Sequence, residues 1–183
     1  MNDFLTIIGA GLAGSEAAWQ AAERGVSVVL YEMRSVSRTA AHKTDDCAEL
    51  VCSNSLGNNL PHSAPYILKE ELRSFNSIVI ASGDRNSVPA GSALAVDRDL
   101  FSQEITEKIS NHPLITLKRQ EIVKIPQSGP VIIATGPLTS PKLSEEISRL
   151  IGQEYLYFYD ALSPIVDANS IDYDKAFFAS RYG

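Results

Sequence analysis

The stretch FLTIIGAGLAGSEAAWQAAERGVSVVLYE, residues 4–32, decides the fold of this 183-residue chain. Phe4–Ile8 is a short apolar run that ends at a glycine, which predicts a buried strand. Helix-forming residues follow over Ala13–Arg24, Gly25 stands at the expected carboxyl-terminal cap, and Ser27–Tyr31 predicts a second strand. The order strand, helix, strand predicts a parallel βαβ unit.

The turn between the first strand and the helix carries a dinucleotide fingerprint of the form G-x-G-x-x-G, made by Gly9, Ala10, Gly11, Leu12, Ala13 and Gly14. Gly9 permits the tight turn, Gly11 leaves no Cβ in the path of a pyrophosphate, and Gly14 lets the helix approach the sheet. The amino terminus of the helix offers free N–H groups and a positive dipole end to phosphates. We therefore predict that these six residues bind a pyrophosphate.

An acidic residue ends the second predicted strand. Glu32 lies 21 positions after Gly11, where a carboxylate accepts hydrogen bonds from ribose hydroxyls. A carboxylate there also disfavours a 2′-phosphate, which argues against NADP at this site. Arg34 follows as the third residue of an E-x-R sequence. Its predicted roles are a contact to the adenosine portion, an anchor for the following loop, or a solvated charge.

The rest of the chain continues as helices and strands, which predicts an α/β fold with a mostly parallel sheet. Residues 33–60 read as a long polar loop, with one helical turn near 45–51. Residues 83–91 read as irregular chain. Helices are predicted from the Ser63 cap to Phe75, from the Asp97 cap to Ser110, and from Ser140 to Gly152. Strands are predicted over Ser77–Ala81, Leu114–Leu117, Glu121–Ile125 and Val131–Ala134, and a Tyr-rich strand pattern with acidic turns over residues 154–183.

Composition and charge limit the class of protein. Hydrophobic residues make up 44% of the chain and charged residues 21%, which is enough apolar material for an ordinary core. The net charge of −6 argues against binding nucleic acid or an anionic membrane by bulk electrostatics. The sequence shows neither a membrane-spanning apolar run nor the layout of a signal peptide, so we expect a cytoplasmic protein.

The two cysteines, Cys47 and Cys52, lie in the long loop and admit three interpretations. Their C-x4-C spacing suggests the redox pair of a disulfide reductase placed against a flavin. A metal site with His42 is disfavoured, because the spacing fits no common zinc pattern and a fourth ligand is not evident. Each cysteine can also be a small buried apolar residue. We predict no metal site.

A second strand-to-glycine turn lies at Val131–Gly136, which reads VIIATG. Together with the E-x-R sequence, this layout resembles the FAD-binding fold of glutathione-reductase-type flavoproteins, and it favours FAD over NAD. Backbone that passes close to a cofactor requires a residue without a side chain, which Gly136 supplies. We predict that Ala134, Thr135 and Gly136 make backbone contacts on the flavin side.

Longer blocks of sequence resemble the folate- and FAD-dependent tRNA uracil-5-methyltransferases over the whole chain. The blocks occur in order and include IGAGLAGSEAAWQ, YEMR, AHKTDD, AELVCSNSL, LKEELR, VPAGSALAVDR, NHPLI, VIIATGPLTS and GQEYLYFYDALSPIV. The sequence around Cys52 does not match that of the related tRNA wobble-uridine modifying flavoproteins. Cys47 departs from the family, in which an aromatic residue is expected.

The resemblance implies methylation of C5 of a T-loop uridine in tRNA. The carbon donor would be 5,10-methylenetetrahydrofolate, and NAD(P)H would reduce the FAD. Cys52 is then the candidate catalytic or flavin-proximal thiol, and His42, Lys43 and Asp45 are candidates to contact flavin, folate or RNA. If RNA binds, basic residues such as Arg34, Arg38 and Lys43 should cluster on one face.

Family members are more than twice as long as this chain, which is therefore expected to be an amino-terminal fragment. Residues 1–152 would form the FAD-binding domain, incomplete at its carboxyl end, and residues 153–183 would begin the following segment. Two alternatives remain open from the sequence. One is an FAD-dependent disulfide or small-molecule oxidoreductase that uses Cys47 and Cys52, and the other is a non-catalytic FAD-binding fragment. The sequence predicts no particular oligomeric state.

Overall fold

The computed structural model describes residues 4–39, 41–152 and 170–177. The strands are β1 (Phe4–Ile8), β2 (Ser27–Glu32), β3 (Ser55–Asn58), β4 (Ser87–Val88), β5 (Ala93–Val96), β6 (Ile115–Arg119) and β7 (Val131–Ile133). The helices are α1 (Leu12–Glu23), α2 (Ala64–Ser74), α3 (Ile78–Arg85), α4 (Arg98–Asn111) and α5 (Pro141–Ile151), and a 3₁₀ turn covers Gly136–Leu138. None of these described helices is long and apolar enough to cross a membrane.

A parallel sheet with the strand order β6-β2-β1-β7 forms the centre of the molecule. β1 pairs in parallel with β2 on one side and with β7 on the other, and β6 pairs in parallel with β2. Helix α1 connects β1 to β2 and ends before Gly25, whose φ of +81° favours glycine. The predicted βαβ unit and the α/β fold with a mostly parallel sheet are confirmed.

A second, smaller sheet stands apart from the first. β5 pairs antiparallel with β3 and with β4, in the order β3-β5-β4. Its residues come from the stretch between β2 and β6, so it forms an excursion from the parallel sheet. The chain returns to the parallel sheet through α4, whose N-cap Asp97 accepts hydrogen bonds from the backbone N–H groups of Asp99 and Leu100.

The core lies between the parallel sheet and the helices α1, α3 and α4. Its largest fully buried side chains include Ile7, Leu30, Phe101, Ile105 and Ile109. The last three follow one another at intervals of four along α4, so they form the apolar face of that helix. This packing fixes the carboxyl ends of β1 and β2. The glycine-rich turn begins directly after β1.

Most of the predicted helix boundaries are confirmed. The Ser63 hydroxyl accepts a hydrogen bond from the Tyr66 N–H group and caps α2. Helix α5 begins at Pro141 and ends at Ile151, and its C-cap Gly152 adopts the left-handed conformation at φ +68°.

Four predictions for local structure are wrong. The predicted strand Ser77–Ala81 is the first turn of α3, because the Ser77 hydroxyl caps a helix by accepting from the Ile80 N–H group. Glu121–Ile125 forms no strand, and residues 45–51 form turns and bends without a helix. The stretch 83–91, predicted to be irregular, contains the end of α3 and all of β4.

The proposed division at residue 152 stays a prediction. Helix α5 ends at that point, but residues 153–169 and 178–183 lie outside the described residues. The Tyr-rich strand pattern predicted after residue 154 falls largely on those residues.

Candidate dinucleotide-binding site

A cavity of about 300 Å³ opens at the carboxyl ends of β1, β2 and β7. Parallel α/β sheets bind ligands at this edge, where strand ends and helix amino termini meet. Nine of the eleven predicted cofactor-binding residues line the cavity, namely Gly9, Gly11, Leu12, Ala13, Glu32, Arg34, Ala134, Thr135 and Gly136. Residues from three distant parts of the chain therefore converge as the sequence predicted.

The three fingerprint glycines differ in what surrounds them. A Cβ on Gly9, whose φ is +97°, would lie 2.7 Å from the carbonyl oxygen of Ala134. A Cβ on Gly14 would lie 1.7 Å from the carbonyl oxygen of Gly9, so α1 can pack this closely only without a side chain there. A Cβ on Gly11 would meet no atom within 4 Å. Gly9 and Gly14 thus satisfy packing, whereas Gly11 borders open space.

Ala10 and Gly14 are the two predicted residues that do not line the cavity. Ala10 is fully buried, and its N–H group donates to the Glu32 carboxylate. α1 begins at Leu12, so the N–H groups of its first turn have no acceptor within the helix. These groups and the open space at Gly11 fit a pyrophosphate, which is the group that a helix amino terminus binds.

The Glu32 carboxylate is buried at the cavity wall and paired with Arg34. Glu32 Oε1 accepts from the backbone N and the Nε of Arg34 at 3.0 and 2.9 Å. Oε2 accepts from Arg34 Nη2 at 3.0 Å and from Ala10 N at 2.8 Å. Burial by itself would raise the pKa of Glu32, but the hydrogen bonds and the positive charge of Arg34 outweigh it and hold that pKa below its ordinary value.

These contacts refine two predictions. Arg34 is buried, so its interpretation as a solvated charge is wrong, and it anchors the following loop. The Glu32 carboxylate already accepts four hydrogen bonds, which is close to its full capacity. A ribose hydroxyl can therefore bind Glu32 only by sharing or displacing one of these donors, and the ribose contact stays a prediction.

Glu49 is a site residue that the sequence analysis did not identify. Its carboxylate lines the cavity and accepts from Arg34 Nη1 at 3.4 Å. It also accepts from the backbone N–H groups of Lys43 and Thr44. Burial would raise the pKa of Glu49, but the hydrogen bonds from Lys43 and Thr44 hold it below its ordinary value. Its sequence context, a carboxylate in a polar loop, gave no signal of this role.

The segment after β6 is also part of the site. Gln120, Glu121 and Ile122 line the cavity, and the Gln120 N–H group donates to the Glu32 carbonyl. Because β6 pairs in parallel with β2, its carboxyl end reaches the same edge as Glu32. Recognising β6 as a parallel partner of β2, rather than half of a pair of short strands, would have placed these residues here.

The turn after β7 forms the opposite wall with Ala134, Thr135 and Gly136. Gly136 has a φ of +60°, and a Cβ on it would meet no atom within 4 Å. The hydroxyls of Thr135 and Thr139 lie 2.6 Å apart. Ser140, the N-cap of α5, lines the cavity and has a buried hydroxyl without a hydrogen-bond partner among the described residues. This polar wall fits a polar ligand.

The two cysteines are free thiols in different environments, and neither lines the cavity. Cys47 is fully buried, and that burial raises the pKa of its thiol. Cys52 is exposed. Because one thiol is buried and the other is exposed, the structure does not favour a redox pair formed by these two residues. In the part of the chain that is described, no cluster of three or more His, Cys, Asp or Glu could hold a metal ion.

The basic residues suggested for RNA contact do not cluster as expected. Arg34 is buried between two carboxylates, whereas Arg38 is 69% exposed and lies 4.0 Å from Asp45. Lys43 is exposed, and its backbone N–H group donates a hydrogen bond to the Glu49 carboxylate. The expectation that Arg34 shares one exposed basic face with Arg38 and Lys43 is therefore wrong.

The family model described as glucose inhibited division protein A matches residues 5–183. The chain belongs to this family. Members of the glucose inhibited division protein A family are also among the similar solved structures. Aquifex aeolicus GidA in its form I crystal matches 73% of this chain and 25% of that chain, with a TM-score of 0.58 and 16% identity. Its form II crystal matches 69% and 21%, with a TM-score of 0.55 and 17% identity. These matches support the fold alone.

Sequence relatives within the curated proteins are much more similar. A protein of Listeria innocua is 60% identical over 182 residues, and one of Enterococcus faecalis is 61% identical over the same length. A protein of Halalkalibacterium halodurans is 60% identical over 178 residues. All three are named methylenetetrahydrofolate--tRNA-(uracil-5-)-methyltransferase TrmFO. The matches cover 97–100% of this chain but 41–42% of each relative, so the chain spans less than half of their length.

Proposed function

We propose that this chain is the FAD-binding part of a methylenetetrahydrofolate–tRNA-(uracil-5-)-methyltransferase. The observation that carries the proposal is its identity of 60–61% to relatives with that name, over nearly all of its residues. Those relatives are more than twice as long, so the complete activity requires residues beyond the matched region. This chain would supply the dinucleotide site and one candidate thiol.

FAD is the proposed resident cofactor. The open space at Gly11, the free N–H groups of the first turn of α1, and the polar wall at Thr135–Ser140 together suit a dinucleotide. The Glu32 carboxylate would repel a 2′-phosphate, which favours an unphosphorylated ribose. When bound, FAD supplies the redox chemistry that carries and reduces a one-carbon unit.

Cys52 is the proposed substrate-facing thiol. Uracil C5 becomes nucleophilic after a thiolate adds at C6, because that addition moves electron density onto C5. An exposed thiol can reach a base that has left its stack, whereas a buried one cannot. Cys52 is exposed, and Cys47 is fully buried with a raised pKa. Cys47 is therefore proposed to be a packing residue.

The remaining partners follow from the same reaction. The substrate would be the T-loop of tRNA, the carbon donor 5,10-methylenetetrahydrofolate, and the reductant NADH or NADPH. The proposed location is the cytoplasm, which is consistent with a tRNA substrate and a folate donor. Exposed basic residues, which do not include the buried Arg34, would contact the phosphates of the RNA.

Transfer of a labelled carbon tests this function. The intact protein should move the label from methylenetetrahydrofolate into tRNA in the presence of FAD and a nicotinamide nucleotide. Cys52→Ala should lose this transfer, and Cys47→Ala, the matched control, should retain it. Absence of label from tRNA, together with turnover of a disulfide substrate that requires both cysteines, would show an oxidoreductase instead.

A further inference from the structure

Ala10 in the glycine-rich turn is hydrogen-bonded both to the end of β2 and to the loop between β2 and β3. The Ala10 N–H group donates to Glu32 Oε2 at 2.8 Å. The Ala10 carbonyl accepts from the Ala48 N–H group, also at 2.8 Å. Ala48 adopts a φ of +54°, an uncommon conformation for a residue with a side chain. The turn that would hold a pyrophosphate is thus in direct contact with the Glu49 loop, which we define as residues 41–51.

Arg34 closes a ring of contacts between these two parts. Its guanidinium binds both oxygens of Glu32 and lies 3.4 Å from Glu49 through Nη1. The side chains of Arg34, Glu32 and Glu49 are 2%, 7% and 11% exposed. Removal of one partner from a buried ion pair leaves an uncompensated charge, which is strongly unfavourable. The ring therefore holds Glu32 in one position.

Glu49 also organises its own loop. Oε1 accepts from the Lys43 N–H group at 2.8 Å. Oε2 accepts from the Thr44 N–H group at 3.1 Å and from the Thr44 hydroxyl at 2.9 Å. One carboxylate thus joins the start of the loop to Arg34, and its own position lies three residues before Cys52.

We propose that Glu49 is a positioning residue for the dinucleotide site. Through Arg34 it fixes the ribose-facing Glu32, and through Lys43 and Thr44 it holds the loop that leads to Cys52 against the glycine-rich turn. This inference rests on the proposed function, because it assigns the fixed elements to FAD and to the substrate-facing thiol. Glu49 lines the cavity, and its proposed role is to position Glu32 and the loop and not to take part in the reaction.

The test compares Glu49→Gln with Glu104→Gln in the intact protein. Glutamine keeps the shape of the side chain but presents N–H donors to Arg34 and Thr44, which are donors themselves. Glu104 is a matched control, since it accepts from Arg85, Asn86 and Lys108 away from the cavity. Two quantities are measured. The first is the FAD dissociation constant, and the second is the alkylation rate of Cys52, determined by peptide mass spectrometry with and without FAD.

Glu49→Gln should weaken FAD binding about tenfold, as expected for the loss of charge-assisted hydrogen bonds. It should also accelerate alkylation of Cys52, because its loop is no longer held. Glu104→Gln should change the melting temperature and leave both measurements as in the wild type. FAD binding within twofold of the wild type and an unchanged alkylation rate in Glu49→Gln would overturn the proposal.

A double-mutant cycle with Arg34→Met tests whether Glu49 affects FAD binding through Arg34. If Glu49 acts through Arg34, Glu49→Gln should add little to the loss of FAD affinity already caused by Arg34→Met. Additive losses would overturn that route. If Arg34→Met does not fold, the single variants decide. If the wild type binds no FAD, the proposed function fails, while Cys52 alkylation without FAD still tests the hold of Glu49 on the loop.

Discussion

Single residues in the glycine-rich turn perform separable tasks. Gly14 is required by packing, because a Cβ on it would collide with the Gly9 carbonyl, whereas a Cβ on Gly11 would enter open space. The sequence motif predicted the same division, with Gly14 assigned to helix packing and Gly11 to the pyrophosphate. The geometry separates a residue that stabilises the fold from one that leaves room for a ligand.

Gly11→Ala should leave the stability of the protein nearly unchanged and weaken FAD binding at least about tenfold, since the new methyl occupies space meant for the pyrophosphate. Gly11 has a φ of −70°, which alanine adopts without strain. Gly14→Ala is the matched control and should destabilise the protein by about 1–3 kcal/mol through overpacking. Thermal melts and FAD titrations of both variants check this. Tight FAD binding by Gly11→Ala would contradict it.

The two thiols should differ sharply in reactivity. Cys52 is exposed, so iodoacetamide should modify it in the folded protein. Cys47 should be modified only after unfolding, because it is fully buried and burial raises its pKa. Peptide mass spectrometry after a timed reaction measures both rates in one sample. Equal modification of the two residues in the native state would be inconsistent with the structure.

The decrease in the free energy of unfolding at acid pH should depend on Glu32. Its pKa is lower in the folded protein than in the unfolded chain, so the Glu32–Arg34 pair stabilises the fold at pH above the unfolded pKa of about 4.5. That stabilisation is lost as the pH falls through the folded pKa. Glu32→Gln should destabilise the protein by roughly 3–5 kcal/mol at neutral pH and flatten its acid dependence. Urea unfolding at a series of pH values measures this. If the free energy of unfolding of Glu32→Gln depended on acid pH as in the wild type, the prediction would be refuted.

At the scale of elements, a helix cap explains one segment whose apolar pattern predicted the wrong structure. Ser77–Ala81 contains β-branched residues and reads as a strand, yet Ser77 caps helix α3. The Ser77 hydroxyl also donates to Glu16 on α1, a contact between residues distant in sequence. Tertiary contacts of this kind override local strand propensity, and no pattern within five residues reveals them.

Ser77→Ala should destabilise the protein by about 1–2 kcal/mol, since it removes both the cap of α3 and the contact to Glu16. Ser74→Ala serves as the control, because Ser74 is an exposed residue in the last turn of α2, where its hydroxyl only donates to the Glu71 carbonyl. Chemical denaturation of both variants gives the difference. If Ser77→Ala were as stable as Ser74→Ala, the cap would not govern this helix.

At the scale of the whole molecule, the order of the parallel sheet explains how the site forms. Strands β1 and β2 lie within residues 4–32 and strands β6 and β7 within residues 115–133, and their carboxyl ends meet at one cavity. The glycine motif, Glu32 and the Val131–Gly136 turn could be predicted from sequence, because each follows a strand directly. Glu49 and residues 120–122 could not, since their places depend on a loop path and on strand pairing.

One edge of the parallel sheet carries apolar side chains that are not fully covered. In the described residues β7 lies at one edge of the parallel sheet, and Ile132 and Ile133 on it are partly exposed. Apolar edge strands are usually covered by another strand, helix or loop. The curated relatives have more than half of their length outside the matched region, which is ample chain for such a cover.

Occupancy of the glycine-rich turn by FAD is the most direct test of this account. The intact protein, purified and exchanged into flavin-free buffer, should bind one FAD per chain on titration, and the flavin absorbance and fluorescence should change to saturation. ADP should compete with FAD, because both place a pyrophosphate at the amino terminus of α1. A protein that binds neither FAD nor ADP, or whose FAD binding is unaffected by ADP, would contradict the assignment of residues 4–32 as a dinucleotide site.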